Sequence, residues 1–500
     1  MARKKAQPTK DAAPGEVLDL KAAADFLKVS KPTFYRWLAQ GKIKGHKAGA
    51  QWRFYRADLG KFLHTEEPSA LHVDADALRQ AVQQARKARG LKPIQWPSSE
   101  TPEEATVIAT VNTLITDAIE AHASDIHLDN NVDEMLVRYR VDGVLSEIMS
   151  LPRDAARPLV SRLKLMADMD ISERRLPDNG RISIRHQGRD YDIRVTTVPA
   201  IFGESAICRI LDQSSVLIGL DRLGLLRPMQ QAFEKALHLP QGIIVVTGPA
   251  GSGRTTTLYS SLNLVNSPEK KICTIEDPVE YRLRNVMQVH VNRKAGLTTA
   301  VALRTFMRSD PDIIMVGDLR DLETAEACVN AAMTGHLVLT CMLPADAISV
   351  ITRLTEMGLE PFLIGASLNA VLAQRLVRRV CQNCKTHYQP SPELLARLGR
   401  ATGVDLSEGH FVRGTACAEC HQTGYRGRVA VFELLDVNDR LRALIAAPST
   451  IEELRAAAIE SGMTTLLKDG VEKARQGITT PEEVLRVLAA HHKEIFEVKS

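Results

Sequence analysis

The sequence has no long apolar run and no excess of charge of one sign. No segment approaches the roughly 18 apolar residues of a membrane-spanning helix, so no span is predicted. Lys and Arg number 64 against 60 Asp and Glu, a net charge of +4, so bulk charge does not mark the whole chain as a nucleic-acid binder. No apolar signal-peptide segment follows the basic start Met1–Lys5. We therefore expect a cytoplasmic protein.

Cysteine is present in modest number, and its spacing is informative. Eight cysteines occur in 500 residues, and half of them form a pair of Cys-x-x-Cys motifs. This pattern fits metal binding in a reducing compartment better than a disulfide framework. The length predicts roughly three or four domains, each large enough to bury a core.

The first domain is predicted over residues 16–64. Apolar residues there follow helical spacing at Leu20, Ala23, Ala24 and Leu27. A second helix, residues 31–40, is predicted after a turn, and the basic stretch 42–56 is predicted to form a hairpin or wing, with a core of Phe34, Trp37 and Trp52. These motifs resemble the excisionase-like winged helix-turn-helix modules. The resemblance implies DNA recognition by residues 31–40, and an adaptor role in protein contacts remains equally open.

Residues 65–104 are predicted to form a linker, because Pro and Gly interrupt them and their one helix, Ala75–Ala88, has only a thin apolar stripe. Residues 105–215 combine an amphipathic helix with short strands, which predicts a compact α+β domain. The predicted strands are Ile126–Leu128, Met135–Val141, Ile182–Arg185, Tyr191–Val195 and Ala206–Ile210.

The third domain, residues 221–376, alternates short apolar strands with helical stretches. This alternation predicts a doubly wound, mostly parallel α/β sheet that binds ligands beyond the carboxyl ends of its strands. The strands are predicted at Ile243–Val246, Ile272–Ile275, Asp312–Val316 and Leu337–Cys341.

A glycine-rich turn follows the first of these strands and leads into a helix. The N–H groups of such a turn can cradle phosphates, and the helix N-terminus favours anions, as in a P-loop. One residue departs from the Gly-x4-Gly-Lys-[Ser/Thr] pattern, because Arg254 stands at the lysine position. The candidate nucleotide-binding residues are Gly248, Pro249, Ala250, Gly251, Ser252, Gly253, Arg254, Thr255 and Thr256.

Acidic residues follow the neighbouring strands. Glu276 and Glu280 come after the second strand, Asp318 after the third, and His336 is near the fourth. Acidic groups that converge on a phosphate-binding turn can hold Mg²⁺ through water and orient an attacking water. The candidate catalytic residues are therefore Glu276, Asp318 and His336.

These motifs resemble the hexameric ATPases that drive type II secretion and type IV pilus assembly. The segments that match their Walker A, Asp box, Walker B and His box are Gly248–Tyr259, Thr274–Tyr281, Asp310–Asp321 and Thr334–Leu339. The preceding domain matches that family at Ala123–Leu128, Val137–Gly143 and Gly180–Ile182. The resemblance covers residues 106–488.

The resemblance implies a RecA-like P-loop NTPase core that uses ATP and Mg²⁺. It implies that Arg181 and Arg194 reach from the second domain toward bound nucleotide, whereas composition alone would make them solvated strand arginines. It also implies a homo-hexamer, or a mixed hexamer with a paralogue. Such a ring works with an inner-membrane platform protein, so the chain would be cytoplasmic and peripheral to that membrane.

The chain departs from the family pattern in several places. Arg254 replaces a compact lysine charge with a planar fork. Asp318 replaces a glutamate, which shortens the carboxylate arm by one methylene, enough to misplace a water by about 1 Å and to cost on the order of 10²-fold in rate. Leu343 stands where the His box has its second histidine, and Pro344-Ala345 replaces the polar pair after it.

These departures predict a nucleotide-binding chain with impaired hydrolysis and a regulatory or scaffolding role. An active assembly ATPase that uses arginine remains an alternative, and so does a DNA-binding regulator built on a motor-derived fold.

A zinc element is predicted over residues 377–428. Two Cys-x-x-Cys pairs about thirty residues apart suit a closed, tetrahedral structural zinc site. The resemblance agrees, since many members of the family carry the same four-cysteine element. The predicted ligands are Cys381, Cys384, Cys417 and Cys420. Residues 429–492 are predicted to be helical and to carry no chemistry of their own, with a capping box at Thr480–Glu483.

Overall fold

The computed structural model describes residues 17–27, 34, 38, 43, 45–48, 51–56, 59, 73–97, 101–212 and 218–488. In the N-terminal module, strands β1 (Val17–Asp19), β2 (His46–Ala48) and β3 (Gln51–Tyr55) form an antiparallel sheet in the order β1-β3-β2. Helix Leu20–Phe26 packs on it. The predicted wing is thereby confirmed as the β2–β3 hairpin.

The core of the module is aromatic. Phe34 and Phe54 are fully buried and meet edge to face with ring centroids 5.0 Å apart, and Trp52 packs beside them. The predicted recognition helix, residues 31–40, lies outside the described residues except at Phe34 and Leu38, and Trp37 lies outside them too.

Helix Ala75–Ala88 has the predicted bounds but a different role. Asp74 caps it, since its Oδ1 accepts hydrogen bonds from the N–H groups of Asp76 and Ala77 at 3.1 and 2.9 Å. Leu78 and Val82 are fully buried in the core of the second domain. The prediction of a linker is therefore wrong for residues 73–97, because a narrow apolar stripe suffices to dock one helix on a larger core.

The second domain has one antiparallel sheet of six strands in the order β6-β5-β4-β9-β8-β7. Helices Pro102–Glu120 and Arg153–Met166 share its core. The strand β6 and the second of these helices were not predicted. The strands are β4 (Ala123–Asn130), β5 (Glu134–Val141), β6 (Val144–Pro152), β7 (Asp178–His186), β8 (Arg189–Ala200) and β9 (Gly203–Asp212).

The third domain is built on a sheet of seven strands in the order β12-β11-β13-β14-β10-β15-β18. All neighbours are parallel except the last pair, β15 and β18. The predicted doubly wound sheet is thus confirmed. The strands are β10 (Gly242–Thr247), β11 (Ile272–Glu276), β12 (Val286–His290), β13 (Ile313–Val316), β14 (Leu337–Met342), β15 (Leu368–Val380) and β18 (Tyr425–Asp436).

Helices cover both faces of this sheet. They are Leu220–Leu223, Arg227–Leu237, Arg254–Val265, Thr299–Phe306, Leu322–Met333, Ala347–Glu356 and Pro361–Ser367, with a short 3-10 turn at Arg293–Ala295. No helix of the described residues is both long and apolar enough to cross a membrane.

The four-cysteine element is inserted between β15 and β18. It contains the short pair β16 (Lys385–His387) and β17 (Val412–Gly414), helix Pro392–Thr402 and the 3-10 turn Ala418–Cys420. The predicted boundary between residues 376 and 377 therefore falls inside a strand of the core sheet.

The prediction that residue 429 begins a helical region is also wrong at its start, because β18 continues to Asp436. A strand buried on both faces reads as one apolar run, which periodicity cannot distinguish from a helix. Helices follow only from residue 439, at Asp439–Ala446, Ile451–Glu460, Leu466–Arg475 and Pro481–Leu488.

Candidate nucleotide and metal sites

The glycine-rich turn lies where β10 leaves the sheet. β10 is buried throughout, and the turn leads directly into helix Arg254–Val265. Gly248, Gly251 and Gly253 have φ angles of 146°, 77° and 93°, which L side chains rarely adopt. A Cβ on Gly248 would lie 2.5 Å from the carbonyl oxygen of Gln374. The turn therefore needs its glycines, as a phosphate-binding turn does.

Arg254 folds back over this turn. Its Nη1 donates hydrogen bonds to the carbonyl oxygens of Gly248 and, at 2.7 Å, of Pro249. Its Nε is buried and has no hydrogen-bond partner in the described part of the chain. The guanidinium charge thus lies at the turn, but one end of the planar fork is engaged by the protein's own carbonyl groups.

Asp318 lies beyond the carboxyl end of β13 and is also engaged. Its Oδ2 accepts a hydrogen bond from Arg320 Nε at 2.6 Å, and this bond raises the pKa of Arg320. Cys341, near the end of β14, donates its S–H to the carbonyl of Gly317 at 2.8 Å. Burial, aided by the Asp318 charge, raises the pKa of Cys341 to about 11, so this thiol is neutral at physiological pH.

Glu276 ends β11 and is buried. The hydroxyl of Tyr259 donates to its Oε2, and the hydroxyl of Thr274 donates to its Oε1 at 2.6 Å. Gln288 Nε2 adds a longer bond to Oε1 at 3.3 Å. Burial and the neighbouring Glu276 charge raise the pKa of Tyr259, so the phenol remains a donor. Both carboxylate oxygens of Glu276 are therefore occupied within the protein.

The two predicted arginines of the second domain differ in position. Arg194 Nη1 lies 3.9 Å from Glu280 Oε1, so it reaches the acidic segment after β11. Burial raises the pKa of Glu280, and the charge of Arg194 opposes that rise. Arg181 instead pairs with Asp192 of its own sheet and is more than half exposed. Within one chain, only Arg194 meets the candidate site.

Within one chain, His336 lies apart from the other predicted catalytic residues. It precedes β14, whose first residue, Leu337, pairs with Gly242 at the start of β10. Since the two strands are parallel, His336 lies at the edge of the sheet opposite the turn, about 20 Å away. Its Nδ1 lies 2.9 Å from the carbonyl oxygen of Ala331. Leu343, which follows β14, occupies the edge next to the turn and is half exposed.

The four predicted zinc ligands come together. Their sulfur atoms all lie within 4.8 Å of one another, with separations of 3.8 Å for Cys381–Cys417, 3.9 Å for Cys384–Cys420 and 3.7 Å for Cys417–Cys420. A zinc ion with Zn–S bonds of about 2.3 Å at the centre of a tetrahedron places its ligands about 3.8 Å apart. The N–H groups of Cys417 and Gly424 also point at Cys420 Sγ, at 3.3 and 3.2 Å. The cluster therefore fits zinc.

A sequence profile described as "Type II/IV secretion system protein" matches residues 100–486, and a profile described as "Helix-turn-helix domain" matches residues 17–66. The chain belongs to the type II/IV secretion system protein family. This result confirms the family and the N-terminal helix-turn-helix domain expected from the sequence.

Two relatives in this family indicate how far the similarity extends. The type II secretion system protein E of Pseudomonas aeruginosa is 45% identical over 388 residues, which are 78% of this chain and 76% of that protein. The type IV pilus assembly ATPase PilB of Thermus thermophilus is 44% identical over 389 residues, 78% of this chain and 44% of that protein.

Solved structures agree with the family. The ATPase DotB of Legionella pneumophila has a TM-score of 0.58 at 19% identity and covers 80% of this chain and 98% of its own, a likeness of fold alone. The pilus retraction motor PilT with bound ADP has a TM-score of 0.50 at 25% identity over 75% of this chain and 95% of its own.

ATPases of this family use ATP and Mg²⁺, and the turn of this chain has the donors that a phosphate needs. The hydroxyl of Ser252 is buried and has no partner in the described residues, like Nε of Arg254. A Cβ on Gly251 would meet nothing within 4 Å, so space is open above the turn. Buried polar groups without partners are costly, and a phosphate oxygen would satisfy them. The residues present therefore fit a nucleotide phosphate.

Gln374 of β15 is a site residue that the sequence did not reveal. Its Nε2 donates to the carbonyl of Ser252 at 2.6 Å, and its Oε1 accepts from the hydroxyl of Thr257 at 2.7 Å. The side chain is fully buried. It therefore joins the turn to the first turn of the following helix from a strand more than 100 residues away, and only the pairing of β10 with β15 brings it there.

We expect the substitution Gln374→Ala to weaken ADP binding by about 10- to 100-fold. The truncation removes two buried hydrogen bonds that order the turn, and leaving their partners unpaired costs about 1–3 kcal/mol. Calorimetric titration with ADP measures the change. Gln476→Ala, at an exposed helix end, is the matched control and should leave affinity unchanged. An unaltered affinity in a folded Gln374→Ala protein would contradict the positioning role.

Proposed function

We propose that this chain is a nucleotide-binding subunit of a type II secretion or type IV pilus assembly machine, with slow hydrolysis and a regulatory or scaffolding role. The observation that carries the proposal is the position of Arg254, which is bonded to the carbonyl groups of its own turn. Asp318 bonded to Arg320 and Leu343 at the edge of the site support it. Each takes the place of a group that the family pattern uses for chemistry.

Binding and hydrolysis make different demands on this site. The turn and the start of helix Arg254–Val265 supply N–H groups, and Arg254 supplies a positive charge, which together suit the phosphates of ATP. When bound, ATP would supply the phosphoryl group that is transferred, and Mg²⁺ would be its metal ion. Asp318 is the residue that would hold the metal through water. Its side chain is one methylene shorter than the glutamate of the family pattern, and its carboxylate is already bonded to Arg320. Phosphoryl transfer depends steeply on such positioning, so hydrolysis suffers first.

The proposal extends to the assembly. By the family pattern, the chain forms a hexamer, either of identical chains or mixed with an active paralogue, and works in the cytoplasm at an inner-membrane platform protein. The four-cysteine cluster would hold one structural zinc in each chain, since its sulfur geometry suits a tetrahedral ion. The N-terminal module would contact either DNA or a protein.

Steady-state kinetics tests the proposal. Purified, zinc-loaded protein should bind ADP and ATP yet turn over ATP far more slowly than about 1 s⁻¹, the lower range of ordinary phosphoryl-transfer enzymes. Binding measured on the same preparation guards against inactive protein. A turnover of about 1 s⁻¹ or more would rule out impairment.

An active assembly ATPase is the second candidate, and the similarity to the type IV pilus assembly ATPase PilB favours it. In that case Arg254 would be adapted to this site, and restoring lysine would lower the activity. A DNA-binding regulator is the third candidate, favoured by the helix-turn-helix profile. It requires a salt-sensitive complex with duplex DNA that is lost when residues 1–63 are deleted.

A further inference from the structure

A cavity of about 1000 Å³ lies between the second domain and the four-cysteine element. Its walls come from the end of helix Ala75–Ala88 with the residues after it, the end of helix Pro102–Glu120, the β5–β6 hairpin and residues 418–427. None of the described residues of the nucleotide-binding turn lines it. It is therefore a separate site.

One wall holds a guanidinium group with an unused donor. Arg89 lies over the ring of Tyr139, 5.6 Å from its centroid. Its Nη1 is buried and has no acceptor in the described part of the chain. The nearby carboxylate of Asp117 is already hydrogen-bonded to Arg86. Arg89 therefore keeps a donor that a ligand in the cavity could use.

The facing wall repeats this arrangement. Arg378 of β15 lies 4.0 Å from the centroid of the Tyr425 ring, and its Nη2 donates to Glu483 at 2.8 Å. Its Nε is buried without an acceptor among the described residues. Glu483 also accepts two bonds from Arg486. Again one carboxylate serves two arginines, and Arg378 keeps an unused donor.

The formal charges that line the cavity balance, since four Lys or Arg side chains face four Asp or Glu side chains. Several of the acidic groups are engaged elsewhere. Glu419 pairs with Arg426, and Asp142 accepts from the N–H of Gly427 at 2.8 Å and lies 3.8 Å from Arg428. Arg89 and Arg378 are distinguished from the other basic groups by buried N–H donors that have no acceptor among the described residues.

We propose that this cavity is an effector site for a phosphate-bearing anion whose oxygens accept hydrogen bonds from Arg89 and Arg378. The anion would satisfy both unused donors and join the second domain to the core sheet. A pocket of this volume accommodates a nucleotide-sized ligand. Arg89 belongs to a segment between the two profile matches, residues 17–66 and 100–486. The site is therefore built partly from the stretch that connects the helix-turn-helix module to the rest of the chain.

Equilibrium dialysis with radiolabelled pyrophosphate tests the site on the full-length, zinc-loaded protein. With the nucleotide-binding turn saturated by ADP, each wild-type chain should still bind either about one pyrophosphate or, where the cavity accepts a nucleotide, a second ADP that pyrophosphate displaces. Arg89→Gln should weaken that binding tenfold or more, because it removes a charge-assisted hydrogen bond, and Arg89→Lys should retain part of it. Arg79→Gln is the matched control, because Arg79 lies on the helix that Arg89 follows and over Trp96 but does not line the cavity.

Calorimetry with ADP alone distinguishes the sources of the phosphate. Two ADP per chain in the wild type, falling to one in Arg89→Gln, would identify the ligand of the cavity as a nucleotide. One ADP per chain together with pyrophosphate binding in the cavity would identify the ligand as a free phosphoanion. One ADP and no further pyrophosphate would overturn the proposal, as would pyrophosphate binding unaffected by Arg89→Gln in a protein of normal melting temperature. Failure to bind ADP at all would count against the proposed function and leave this result unaffected.

Discussion

The combined substitution Arg254→Lys, Asp318→Glu and Leu343→His is expected to raise ATP turnover by at least about 10²-fold. The guanidinium of Arg254 now donates to the carbonyl groups of Gly248 and Pro249. A lysine is a compact charge on a flexible stem, so it can turn from these carbonyl groups and contact a phosphate. A glutamate lengthens by one methylene the carboxylate arm that Arg320 now holds, which restores the reach of the family pattern. The histidine restores a polar group at the exposed edge of β14.

Initial-rate assays on the wild type, the single variants and the combined variant measure this change, with ATP affinity determined in parallel. The gain should be much larger in the combined variant than in any single one, because residues that act as a unit are strongly non-additive. Arg353→Lys, on an exposed part of helix Ala347–Glu356, is the conservative control. A fall in turnover in the combined variant would instead indicate an active site adapted to its own residues.

Loss of the four-cysteine cluster is expected to abolish zinc binding and to unfold the element between β15 and β18. The double substitution Cys381→Ser and Cys420→Ser removes half of the ligands, and structural zinc supplies on the order of 10 kcal/mol of folding free energy in small domains. Metal analysis should find about one zinc per chain in the wild type and almost none in the variant. Limited proteolysis should cut the variant within residues 382–424.

Cys328→Ala provides the control for this experiment. Cys328 is buried in the core and lies outside the cluster, so the variant should keep its zinc even with reduced stability. A double-serine variant with full zinc content, or a wild type that purifies without zinc, would contradict the assignment.

The sequence predicted best where local rules act. Helix Ala75–Ala88 was placed correctly because Asp74 is a strong N-cap and Gly90 follows the helix. Four of the seven strands of the core sheet, β10, β11, β13 and β14, were placed to within a few residues, since each is a short apolar run between turn residues. The other three, β12, β15 and β18, were not predicted. The cysteine cluster was also predictable, because ligand spacing is written in the sequence.

Contacts between distant segments were not predictable in this way. The sequence grouped His336 with the residues at the carboxyl ends of the strands. His336 in fact precedes β14, so within one chain it lies at the opposite edge of the sheet. Gln374 was missed because nothing near it indicates that β15 lies beside β10. The docking of residues 73–97 depends on a few apolar side chains, chiefly Val73, Leu78 and Val82, whose partner surface forms only after folding.

That docking also limits the reach of the N-terminal module. Leu59 is buried in the module and Val73 in the second domain, and the chain between them can span at most about 50 Å. Any DNA or protein held by the module is therefore confined to a small volume around the second domain. Confinement of that kind gives a local concentration on the order of millimolar, so even a weakly bound partner would meet the rest of the chain far more often than it would by free diffusion.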